Sequence, residues 1–122
     1  MIAVLVATLL SLATQPAPTA TDATVVVSGA TASVYVAINN PTMYDIYVVS
    51  ATSDAAGKVE LYSADKPVDN MTVAAYGWLE LRAGGMFLRL SDLKRELKAG
   101  DSITITMMTD GGVTILAVAA VK

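Results

Sequence analysis

Histidine and cysteine are both missing from the 122 residues, and these two absences set the first limits. Without thiols there can be no disulfide, no thiolate nucleophile and no cysteine to carry a lipid. Without imidazole there is no Ser–His–Asp relay and no zinc site of the ordinary tetrahedral kind. Proton transfer near neutral pH would fall to a strongly shifted carboxylate or lysine. Charge is scarce too, at 16%, with eight scattered basic residues and a net charge of −3. Nothing cationic is concentrated enough to neutralise phosphates, which argues against nucleic-acid binding. The glycine pairs Gly84-Gly85 and Gly111-Gly112 sit in hairpin contexts rather than in a phosphate loop. Asp65 and Asp69 lack calcium-loop spacing, and nothing pairs Glu60 with Glu80 as acid and base. No enzyme is expected, and no small-molecule substrate is evident.

What is present is apolar: 54% of the chain is hydrophobic, enough for one domain with a modest core. The segment from Ile2 to Ala13 is apolar apart from Thr8 and Ser11 and passes into a Thr/Ala/Pro spacer. It is short for a bilayer span of ~30 Å but of the size of a signal-peptide core. It lacks the usual positive residues ahead of that core. We read residues 1–20 as a signal peptide or apolar N-terminal segment with linker, and 21–122 as the domain; a first buried strand is the alternative. Export to the periplasm or beyond follows from the first reading. Membrane contact arises only if the segment stays uncleaved.

From Ala23 onward the pattern has a period of two. Val34, Val36 and Ile38 alternate with Ser33, Tyr35 and Ala37. Similar alternations place Ile46 and Val48, Val59 and Leu61, Leu79 and Leu81, and Met86, Leu88 and Leu90 on inner faces. Two further segments, around Ile103–Met107 and Ile115–Val121, flank Asp110-Gly111-Gly112, a hairpin signal. Seven or eight short strands with turn residues between them predict an all-β antiparallel sandwich or barrel. Only "SDLKREL" offers a helical turn, and it is too short to pack as a helix.

The run "LRLSDLKRELKAGDSITITMMTDGGVTILAVAAV" is similar to the C-terminal half of the PCu(A)C family of periplasmic copper chaperones. It carries the elbow Leu-Lys-x-x-Leu-Lys-x-Gly-Asp, here Leu93 to Asp101, preceded by a glycine pair and a strand. Upstream, "TASVYVAINNPTMYDIYVVSATSDAAGKVELYS" resembles the family's first half. The resemblance implies a cupredoxin-like Greek-key β-sandwich without a blue-copper centre. It also implies a Cu(I) site of two histidines and two methionines, ending in a His-x-Met pair. Such donors suit a soft ion, and alternate strand residues share one face.

Three of those positions hold other residues in this chain. Tyr62 and Phe87 stand where the histidines belong, and Arg89 takes the place of the final methionine. A neutral phenol is a poor Cu(I) donor, a phenyl ring has no lone pair, and a guanidinium carries a fixed positive charge. Met71, placed in a polar loop after Asp69-Asn70, is the surviving ligand candidate. Met86 and Met107 fall on apolar strand faces, where methionine fills a core.

Two functions are therefore expected from the resemblance and the residues together. The first is copper handling or cuproenzyme assembly outside the cytoplasm, with a degenerate Cu(I) site centred on Met71 and copper bound weakly or not at all. The second is a metal-free binding or scaffolding module that uses the Tyr62/Phe87/Arg89 face. Trp78 and Tyr76 would enlarge that face, and aromatics with arginine are what interfaces favour. The partner would be a cuproprotein or another periplasmic protein.

Overall fold

The computed structural model describes residues 17–122, and among them every regular element is a strand. Ten strands follow in chain order. They are β1 (Thr19–Ser28), β2 (Thr31–Asn39), β3 (Ile46–Ser53), β4 (Ala56–Ser63), β5 (Lys66–Pro67), β6 (Met71–Val73), β7 (Trp78–Glu80), β8 (Met86–Leu93), β9 (Ser102–Thr109) and β10 (Thr114–Val121). The expected count of seven or eight was low because β5, β6 and β7 hold only two or three residues each. A period of two cannot declare itself over so short a span. Most of the segment read as a signal peptide or apolar N-terminal segment lies outside the described residues. Of residues 1–20, the structure describes Ala17 to Ala20, and Thr19 and Ala20 already pair with Asn39 and Ile38.

The sheet runs β5-β4-β8-β2-β1-β10-β9-β3-β6, with β7 paired to β2. A further β3–β4 pairing at Ser53 and Ala56 brings the path back on itself. The result is a barrel-like sandwich with few free edges, which limits unwanted strand addition. One pairing departs from the antiparallel expectation: β1 and β10 run parallel, with Thr24 opposite Ala120. These strands are far apart in sequence, so no hairpin dictates their relative direction.

Alternation decides the core. Val34, Val36 and Ile38 of β2, Leu88 and Leu90 of β8, and Ile103, Ile105 and Met107 of β9 are all buried. Ile115, Ala117, Ala119 and Val121 complete it from β10. Leu88 is central, opposite Val34 on one side and Leu61 on the other. Leu88→Ala is expected to cost about 3 kcal/mol through lost burial and a residual cavity, read as a lower urea midpoint with an unchanged slope.

The Leu93–Asp101 elbow forms no helix; it is a turn that locks the end of β10. Asp101 Oδ2 accepts from Lys98 N at 2.9 Å, and Asp101 N donates to Lys98 O at 2.9 Å. Gly100 adopts φ 96°, which only glycine tolerates easily, and its N–H donates to Val121 O at 2.9 Å. Leu97 anchors the turn in the core.

Candidate functional site

The pairing of β4 with β8 sets Tyr62 directly opposite Phe87, and Glu60 opposite Arg89. All four point away from the core, because Leu61, Leu88 and Leu90 take the inward positions. The Tyr62 and Phe87 rings stack with centroids 5.4 Å apart and planes 24° from parallel. The Arg89 guanidinium carbon lies 5.4 Å from the Tyr62 centroid, within cation–π range. Three positions separated in sequence thus form one ring–ring–guanidinium stack. The residues singled out as 62, 87 and 89 are brought together.

Tyr35 joins them. It lies on β2 beyond Ser33, which faces Arg89, and its ring meets Phe87 edge-on at 6.4 Å and 61°. Alternation had placed Tyr35 on an outer face, but only the β2–β8 register reveals which residues it meets there. All four side chains are half-buried. Lys58 and Glu60 pair at 3.7 Å, and Arg82 bonds Glu80 at 2.7 Å. Among the described residues Arg89 belongs to neither ion pair.

Trp78 and Tyr76 do not enter the stack. Trp78 pairs with Asn39, four residues along β2 from Tyr35, or about 13 Å at the strand rise. Between them lies an open depression of about 250 Å³, lined by Asp22, Tyr35, Val36, Ala37, Glu80 and Leu81. Tyr76 sits in a turn, with its N–H donating to Thr42 O at 3.1 Å, and is exposed beside a different loop.

Met71 also lies elsewhere than expected. It is not in a polar loop but opens β6, opposite Val48, and is 1% exposed. Met71 and Val73 face inward and Thr72 outward, so the short strand gives its sulfur to the core. Its side chain points into the sandwich while Tyr62, Phe87 and Arg89 point out of it. Met107 is fully buried and Met86 packs against the core, as their spacing predicted. Met43 and Met108 are exposed.

The chemistry of this face follows from its donors. A phenol, two further rings and a guanidinium offer stacking surface, one hydroxyl on each tyrosine and a fork of N–H donors. They do not offer the thioether and imidazole lone pairs that hold Cu(I). Among the described residues no group of three or more Asp or Glu is placed to hold a metal ion.

The family model for LpqE-like lipoproteins matches residues 12–121. No curated protein matches the chain significantly. Among solved structures, the Cu(I) form of DR1885 from Deinococcus radiodurans is 27% identical with a TM-score of 0.73, over 90% of this chain and 82% of that one. The copper-bound PCuAC domain of PmoF2 is 15% identical with a TM-score of 0.76, over 84% and 90%. The apo PCuAC domain of PmoF1 is 19% identical with a TM-score of 0.71, over 86% and 88%. At those two identities the likeness is one of fold. With a family match along nearly its whole length and this architecture around it, the chain belongs to the LpqE-like family, of PCuAC type.

Proposed function

We propose that this chain is an extracytoplasmic member of the copper-chaperone group that works as a metal-free protein-binding module. Its frame is a cupredoxin-like Greek key, a reading supported by the long-range pairings β2–β8, β4–β8, β1–β10 and β3–β9. Its partner is a cuproprotein or another exported protein of the copper-handling machinery, the setting suggested by relatives solved with copper bound. The binding face is Tyr62, Phe87 and Arg89, extended by Tyr35.

One observation carries this reading. The positions that the resemblance assigns to copper ligands are filled by side chains that stack on one another at 5.4 Å. Aromatic rings with an arginine are rigid, amphipathic groups of the kind that dominate protein interfaces. The residues present do not fit Cu(I), and the burial of Met71 leaves it to the core.

Titration of the purified protein with Cu(I) against a chromogenic chelator tests the proposal. No competition is expected at micromolar protein. Stoichiometric competition, lost in Met71→Ala, would instead make the chain a Cu(I) carrier through its thioethers.

A further inference from the structure

The chain's charges are unevenly distributed over the barrel. Strands β3, β9 and β10 contain no charged residue, and β1 contains none after Asp22. These four strands are neighbours in the sheet, in the order β1-β10-β9-β3. From Ala23 of β1 across β10, β9 and β3, their outward side chains therefore form one continuous uncharged surface. The opposite side, built on β2, β8 and β4, carries Lys58, Glu60 and Arg89.

This surface is also apolar at its centre. Leu116 is 64% exposed and Val118 71% exposed, on adjacent outward positions of β10. Register sets Leu116 beside Thr106 and Val118 beside Thr104, while Thr114 lies beside Met108. On the other flank Thr24 lies beside Ala120, and Val26 follows it outward on β1. Exposed aliphatics are ordinary when single. Leu116, Val118, Met108 and Val26 are instead grouped on one face with only small hydroxyl side chains between them, which marks an interaction surface.

We propose that this face is where a second copy of the chain docks, sheet against sheet, about a two-fold axis near Leu116 and Val118. Three considerations select that occupant. A membrane surface would call for a cationic rim, and these strands supply neither lysine nor arginine. A charged partner would find nothing on this face to read. A second copy matches it by construction: the uncharged surfaces meet, and the charges of two chains of net −3 each stay outside the contact.

The size is adequate. Four strands spaced at ~4.8 Å and about eight residues long at ~3.3 Å give roughly 500 Å² in plan. Side-chain relief raises the accessible area toward the ~800 Å² per partner of a stable interface. Packing of two such faces at ~10 Å, with strands crossing at about 30°, is the ordinary aligned sandwich arrangement. This inference does not depend on the Tyr62/Phe87/Arg89 reading, whose side chains lie on other strands.

Sedimentation of the full chain at tens of micromolar decides it. A dimer is expected for the wild type, and a monomer for Val118→Lys with an unchanged far-ultraviolet spectrum. A wild type that stays monomeric would overturn the proposal, as would a dimer that Val118→Lys leaves intact. If Val118→Lys does not fold, the absence of native cysteine allows a second test. Val118→Cys should form an intermolecular disulfide about tenfold faster than Asp69→Cys, because pairing raises the local thiol concentration. Equal rates at the two positions would again overturn it.

Discussion

Replacing Tyr62 and Phe87 by histidine and Arg89 by methionine is expected to give a protein that binds one equivalent of Cu(I). The geometry supports this outcome without any movement of the backbone. Residues 62 and 87 are direct partners across β4 and β8, where Cβ atoms lie about 5 Å apart. Residue 89 follows on the same face of β8, so its side chain rises beside the other two. Two imidazoles and a thioether would then converge from two adjacent strands, a soft donor set that Cu(I) accepts. The fixed charge of Arg89 would be removed at the same time. In the absence of copper the variant should be less stable than the wild type, since the ring stack of Tyr62 and Phe87 is lost. Saturating Cu(I) should restore about 4 kcal/mol at a thousandfold excess over Kd, visible as a copper-dependent rise in Tm. A variant that folds yet leaves the chelator fully loaded would show that these three positions are not a ligand set. That result would remove the basis for calling the stack a converted metal face.

Asn40→Leu is expected to lower stability by about 3 kcal/mol, a fall in Tm on the order of 15 °C for a domain of this size. Asn40 is fully buried and polar, and its side chain is completely used. Nδ2 donates to Tyr44 O at 2.7 Å and to Val73 O at 3.0 Å. Oδ1 accepts from Thr42 N at 3.0 Å and from Thr42 Oγ1 at 2.7 Å. One side chain thus ties the loop after β2 to itself and to the end of β6. Leucine keeps the same branched skeleton with bulkier methyl groups, so no cavity is left and the loss comes from the missing hydrogen bonds together with tighter packing. The buried carbonyl of Val73 loses its side-chain donor, while Tyr44 O, 3.0 Å from Thr42 Oγ1, gains the hydroxyl proton that Asn40 Oδ1 no longer accepts. Thermal unfolding of the variant within a few degrees of the wild type would show that water or a shifted loop replaces these bonds.

The faces of the long strands were legible in the sequence because side-chain direction in a strand is a local property. Leu88 and Leu90 had to share one side of β8 and Phe87 and Arg89 the other, wherever the strand lay. Composition was equally decisive about chemistry: a chain without histidine or cysteine has no imidazole or thiolate to offer any metal. Partnership between strands was not legible. That Tyr62 stacks on Phe87, and that Tyr35 meets it from β2, depends on registers between segments about 25 to 50 residues apart, which loop closure leaves open until the core closes. The same limit explains Met71. Its polar neighbours suggested a loop, and only pairing of a three-residue strand with β3 turned its sulfur inward. It also explains the uncharged face, which no single segment announces. Strand by strand the missing charges look incidental; the parallel pairing of β1 with β10 and the placement of β9 beside β3 gather them into one surface.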